Sequence, residues 1–233
     1  MVIGISGSIG SGKDEVGRII TENLKGYEIK KFAGAVKEIA SMLIGCDVSM
    51  FEDRDFKDTK LGGEWDRWKL ICKDFANAQG LNSSFYSIDY FSTGKEAKDV
   101  ANASGMISYN IEKVSMTPRL LLQLLGTEAG RDLIHPDIWI NTLFKDYTPD
   151  SRWVITDVRF PNEKKKIEDH AGTTIHVVRP CPICNGLNFH KMDCGLVDDH
   201  ISEQSLEDTS FDYVIFNTSD IEHLEYEVIS ILD

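Results

Sequence analysis

Close to its first residue the chain carries Gly7-Ser8-Ile9-Gly10-Ser11-Gly12-Lys13-Asp14, a G-x4-G-K loop between an apolar run and a helical pattern. Val2-Ile3-Gly4-Ile5 reads as a buried strand. From Asp14 to Leu24 the apolar residues fall at 16, 19, 20 and 24, the spacing of an amphipathic helix. Glycines in such a strand–loop–helix junction let successive backbone N–H groups turn inward toward phosphate oxygens. The lysine adds a mobile cation, and the helix N-terminus adds its dipole. A Gly/Ser turn that only resembled the motif would not need those flanks. A dinucleotide fingerprint fails on spacing, because a start at Gly10 runs Gly10, Gly12, Glu15.

The residue after the lysine is Asp14, where Ser or Thr usually ligates Mg²⁺. A carboxylate there can take Mg²⁺, directly or through water, or it can cap the helix and sit on its dipole. Both uses follow from the same position.

Strands and helices alternate along the rest of the chain. Tyr27 to Phe32 is an expected strand, and Val36 to Ile44 a helix ended by Gly45. Thr117-Pro118 fits an N-cap followed by Pro at the first helical position, with Leu120, Leu121, Leu124 and Leu125 as the buried stripe. A further helix is expected after Pro136. Then come a strand at Trp153–Asp157, a charged helix at Asn162–His170, strands at Thr174–Val178 and Phe211–Phe216, and a last helix at Ile221–Leu232. This alternation predicts an α/β fold, a three-layer P-loop NTPase-type parallel sheet flanked by helices. Residues 1–233 read as a single domain with two insertions. The first, about 47–116, lacks a sustained period and is expected to cover the acceptor, with a helix at Glu64–Ala78. The second, about 179–199, sits where a lid would lie.

The net charge of −13 argues against polymeric nucleic acid as a partner. No apolar run approaches about 18 residues, so no membrane span is expected. The first residues lack the basic n-region of a secretory leader. Five cysteines, an odd number, suit a reducing compartment, and the expected location is the cytoplasm, that of the host cell if the chain is phage-encoded.

Asp157 ends an apolar strand, where a carboxylate can hold a metal or its water, and Arg159 and Glu163 follow it. The plainer alternative is a strand-end Asp beside a surface Arg. On the helix after Pro118, Gln123 suits a base edge, and Arg119 and Arg131 suit phosphate through bidentate contact. The plainer alternative there is a surface helix with a leucine core.

Several runs together resemble the phage-type deoxynucleoside monophosphate kinases: the loop ending GKD, Phe32-Ala33 with Lys37, Phe51-Glu52-Asp53-Arg54 with Lys57, and TPRLLLQLLGTEAGRD with Trp139. Thr156 to Glu163, Asp199 to Glu203, and Phe211-Asp212 leading to Asn217 extend the resemblance in order to the end of the chain. It is weak only across about 60–115 and 181–198. The resemblance implies transfer of the γ-phosphate of ATP, with Mg²⁺, onto a deoxynucleoside 5′-monophosphate. Gly7, Gly10, Ser11, Gly12, Lys13 and Asp14 would bind ATP, with Asp14 on the metal. Lys37, Gln123, Gly126, Thr127, Trp139, Asp157, Arg159 and Glu163 would form the acceptor pocket, and Arg119 or Arg131 would hold the acceptor phosphate. Lys13, Asp14, Asp157 and Arg159 are the expected catalytic group. Glu163 could accept the 3′-OH and crowd a ribose 2′-OH. ATP and the deoxynucleoside monophosphate are the expected partners, with a homodimer as the assembly considered.

Two alternatives stand beside this reading. One is a P-loop kinase for another small phosphorylated metabolite. The other is a regulatory P-loop NTPase with a zinc-knuckle-like interaction insert, against which the missing N-K-x-D run counts. That insert is Cys181-x2-Cys184-x5-His190-x3-Cys194. Thiolates and imidazole in so short a segment suit a structural Zn²⁺, and the resemblance does not supply them.

Overall fold

The computed structural model describes residues 1–72, 90–92, 109–180, 206 and 210–232. Its strands are β1 (Val2–Gly7), β2 (Glu28–Lys30), β3 (Arg67–Cys72), β4 (Tyr90–Ser92), β5 (Tyr109–Val114), β6 (Trp153–Val158), β7 (Thr173–Val178) and β8 (Tyr213–Phe216). Its α-helices are α1 (Lys13–Asn23), α2 (Gly34–Ile44), α3 (Arg54–Asp58), α4 (Pro118–Leu124), α5 (Ile138–Phe144), α6 (Pro161–Asp169) and α7 (Ile221–Ser230). A 3₁₀ turn covers Val48–Glu52 and a π-helix Leu125–Ile134. The chain divides into two units, Met1–Ile39 with Leu124–Asp233, and Ala40–Gln123.

In the first unit five strands form a sheet in the order β2-β6-β1-β7-β8, and each neighbouring pair is parallel. β1 buries Val2 to Ser6 in succession and β6 buries Trp153 to Thr156, as central strands covered on both faces must. Alternation along each strand sorts side chains to the two faces. Ile3, Ile5, Val154, Ile175 and Val177 meet Val16, Ile19 and Ile20 of α1 and Leu224 and Val228 of α7. Val2, Trp153, Ile155 and Val158 meet Ile140 of α5 and Ile167 of α6. The expected parallel sheet with helices on both faces is present. No helix among the described residues is long and apolar enough to cross a membrane.

In the second unit Thr117 caps α4 as the sequence predicts, its hydroxyl accepting from the Leu120 N–H at 3.2 Å. Of the leucine stripe, only Leu121 is buried within this helix, and Leu125 already belongs to the π-helix. Phe51 is fully buried, edge-on to Phe56. The helix expected at Glu64–Ala78 is not formed over residues 64–72, and residues 73–78 lie outside the described residues. Residues 67–72 are strand β3, paired antiparallel with β5 from Arg67↔Val114 to Cys72↔Tyr109 and flanked on its other side by β4. Arg-Trp-Lys-Leu-Ile-Cys alternates polar and apolar residues only briefly, and pairing with a strand some forty positions later decides its conformation.

Gly17 lies where α1 crosses β6. A Cβ there would stand 2.4 Å from Thr156 Cγ2. Alanine gains about 1 kcal/mol of helix propensity over glycine, but overpacking a close contact costs about 1–3 kcal/mol. Gly17→Ala is therefore expected to lower stability by up to about 2 kcal/mol in urea unfolding, net of that propensity gain. A more stable variant would show that α1 does not press on Thr156.

Candidate phosphate-transfer site

The loop between β1 and α1 turns on glycines with positive φ: Gly7 at 154°, Gly10 at 78° and Gly12 at 100°. Gly12 is the N-cap of α1 and adopts the left-handed conformation. A Cβ on it would meet Asn217 Nδ2 at 2.5 Å, and one on Gly7 would meet the Val177 carbonyl oxygen at 2.6 Å. Asn217 seals the loop from the end of β8, its amide donating to the Ser11 carbonyl at 2.8 Å. Lys13 is only 9% exposed and folds back over the loop, donating to the Ser8 carbonyl at 3.1 Å. Among the described residues Ser11 Oγ is buried without a hydrogen-bond partner, in a loop whose chemistry suits an anion. Arg179, at the end of β7, donates to the Gly10 carbonyl at 3.4 Å.

Asp14 does not cap α1, since that position is Gly12. Its Oδ1 accepts from the Thr156 hydroxyl at 2.9 Å and lies 3.1 Å from the Lys31 ammonium, while the side chain stays 68% exposed. Partial burial pushes its carboxyl up, but Lys31, the Thr156 hydroxyl and Lys13 outweigh this and hold it below the ordinary aspartate range. One oxygen is thus positioned by neighbours on β6 and beyond β2.

The next residue on β6, Asp157, accepts from the backbone N–H groups of Phe32 at 2.8 Å and Ala33 at 2.9 Å. It clamps the turn leading into α2, and so the start of the helix that carries Lys37.

Glu163 is 1% exposed, in the first turn of α6. Oε2 accepts from the Arg159 N–H at 2.8 Å and the Phe160 N–H at 3.1 Å, and Oε1 accepts from Arg131 Nη2 at 2.6 Å. Arg131 also donates through Nη1 to the Gly126 carbonyl at 2.6 Å and stacks 4.1 Å above the Phe160 ring. The Trp139 indole donates to that same carbonyl at 2.7 Å. Gly130 lets Trp139 close in, since a Cβ there would stand 2.6 Å from the ring. The π-helix makes this convergence possible: its wider turn, with His135 N–H donating to the Gly130 carbonyl, brings Arg131 and Gly126 together. Thr127 follows Gly126 on it.

The structure therefore brings together Gly126, Arg131, Trp139, Arg159 and Glu163 in the first unit. Arg119 and Gln123 belong to the second unit, where Arg119 grips both Asp58 oxygens at 2.7 and 3.0 Å. Cys181, Cys184, His190, Cys194 and the segment 199–203 lie outside the described residues. Lys31, Thr156 and Arg179 were not anticipated as site residues. Only their spacing in the folded sheet reveals them. A cleft of about 470 Å³ beside β2, lined among others by Ile29, Lys31, Phe32, Glu38, Lys145 and Trp153, includes no residue of the glycine loop.

A glycine loop at a strand–helix junction, with its lysine and a neighbouring carboxylate, has the geometry of a phosphate-binding P-loop. The chain belongs to the deoxynucleotide monophosphate kinase family, whose model matches residues 1–228. It is 28% identical to the deoxynucleoside-5′-monophosphate kinase of Escherichia phage T5, covering 100% of this chain and 96% of that protein. A protein of Acanthamoeba polyphaga mimivirus, provisionally assigned as a deoxynucleotide monophosphate kinase, is 31% identical over 50% of this chain and 62% of its own length. Among solved structures, a dephospho-CoA kinase from Campylobacter jejuni aligns at a TM-score of 0.37 and 14% identity, covering 99% of this chain and 95% of that one. Family membership makes the chain an ATP-dependent enzyme that phosphorylates deoxynucleoside monophosphates.

Burial raises the Glu163 carboxyl from 4.5 to about 7; the Arg131 charge opposes this and the Asp157 charge adds to it. A folded value above the unfolded one means a contribution that is complete below about 4.5 and lost as pH rises through about 7. Glu163→Gln removes the titration. The melting temperature of the wild type, measured against that of the variant, is expected to fall as pH rises from 4.5 to 7.5, near the range set by those two values. A constant difference would show that the folded Glu163 carboxyl is not raised above its unfolded value.

Proposed function

We propose that Gly7–Asp14 cradles the ATP phosphates and that Arg131 and Arg159 serve the phosphate of a deoxynucleoside 5′-monophosphate, so that the γ-phosphoryl group passes between them. The observation that carries this reading is the loop itself, three positive-φ glycines closed around Lys13 with the Asp14 carboxylate beside it. Phosphoryl transfer needs positioning and charge neutralisation more than covalent help. Lys13 supplies a cation at the terminal phosphates, and the α1 N-terminus supplies N–H groups and dipole.

Asp14 suits Mg²⁺, a hard cation that takes oxygen ligands, and Thr156 already fixes its orientation. Bound with ATP, Mg²⁺ neutralises phosphate charge. Asp157 acts by holding the Phe32–Ala33 turn and the start of α2 behind it. Glu163 acts on the acceptor side through the groups that it holds, Arg131 and the Arg159–Phe160 backbone. Trp139 and Gly126 form the wall behind Arg131. Lys37 and Thr127 complete the acceptor group in this reading, and Arg119 and Gln123 are assigned to the acceptor by the family resemblance alone.

The test is a panel of dNMPs and NMPs with ATP and Mg²⁺, with ADP release as the signal. Deoxy acceptors are expected to be preferred. Lys13→Ala is expected to lower kcat by about a thousandfold or more, in line with loss of one preorganised charge contact, while leaving the circular dichroism spectrum unchanged. Near-wild-type turnover at saturating ATP would remove Lys13 from the chemistry.

The proposal extends to a structural Zn²⁺ on Cys181, Cys184, His190 and Cys194, a donor set of three thiolates and one imidazole with no position left for chemistry. Elemental analysis of chelator-free protein is expected to find about one zinc per chain, the stoichiometry of a closed four-ligand site, and Cys184→Ser to lower it. Metal-free protein with full activity would reduce the cluster to an accident of spacing.

A further inference from the structure

Lys31 stands directly before Phe32 and Ala33, whose N–H groups Asp157 holds at 2.8 and 2.9 Å. That clamp fixes the backbone from which Lys31 reaches, and its ammonium lies 3.1 Å from Asp14 Oδ1. The Thr156 hydroxyl sits on the same oxygen at 2.9 Å. The Asp14 side chain is 68% exposed, and an exposed ion pair contributes only about 0–1 kcal/mol to a fold. Stability is thus a weak reason for a lysine from another element to reach the residue that follows the loop lysine. Its position has a stronger chemical consequence. Without a cation at Asp14, incoming polyphosphate would meet a bare carboxylate beside the cradle.

We propose that Lys31 is a built-in counter-ion of Asp14, a positioning residue that neutralises the carboxylate until Mg²⁺ arrives with ATP and then yields to it. This rests on the reading of Asp14 as the metal-side residue of the loop. The pairing partner is supplied by the β2–α2 turn, so the same clamp that orders the start of α2 also sets the charge at the ATP phosphates. With Mg²⁺ present, the divalent ion supplies the neutralisation and Lys31 becomes dispensable for ATP binding.

The test measures ATP binding by calorimetry without any acceptor, in EDTA and in excess Mg²⁺, so that no turnover occurs. Lys31→Met is expected to weaken binding about tenfold in EDTA, as loss of a close counter-charge implies, and less than about twofold in Mg²⁺. Lys31→Arg restores the wild-type values. In an Asp14→Asn background Lys31→Met adds nothing. Equal weakening under both conditions, no weakening under either, or additive effects of the two substitutions would overturn the counter-ion role. If Asp14→Asn keeps the wild-type advantage of Mg²⁺ over EDTA, the metal reading of Asp14 falls and the Lys31 proposal with it. If that advantage is lost in Asp14→Asn while Lys31→Met changes nothing, only the Lys31 proposal falls. Melting temperatures report that each variant is folded.

Discussion

Two adjacent side chains at the end of β6 tie the phosphate site together. Thr156 donates to Asp14 at the start of α1, and Asp157 takes the Phe32 and Ala33 N–H groups at the β2–α2 turn. They face different neighbours because successive strand residues point to opposite faces. A register slip of one residue would move each to the wrong face, and buried Val154 and Ile155 on the same strand forbid it. The hydrophobic sorting that builds the two cores therefore also places the polar groups that shape the site.

The cluster around Arg131 depends on a different device, a carboxylate taken almost wholly out of water. Removing a charge from water costs several kcal/mol, and only good geometry offsets it. Glu163 has that geometry: a short contact to Arg131 and two backbone N–H groups. The result is an arginine whose plane is held by Glu163, the Gly126 carbonyl and the Phe160 ring, preorganised before any ligand binds.

Much of this was legible in the chain because its signals are local. The glycine loop, the strand before it and the 3.6-residue spacing after it need only a few consecutive residues to be read. The same holds for Thr117-Pro118 at the head of α4 and for the apolar run ending at Asp157. Residues 64–72 were not legible, since nothing local separates helix from strand there and the partner strand β5 decides. The π-helix was missed for a similar reason: its register is paid for by Trp139 packing on Gly130, a contact that helix propensity does not contain.

By itself, then, the sequence determined the glycine loop, the α/β class and the family, because backbone freedom at glycine and apolar periodicity are properties of neighbours along the chain. Only the tertiary structure decided what the carboxylates do. Asp14 is not a cap but shares Oδ1 between Thr156 and Lys31, Asp157 grips a turn about 125 residues away, and Glu163 is buried against Arg131. The role of a carboxylate is set by which donors reach it and how much water remains, and both are fixed by packing between distant segments.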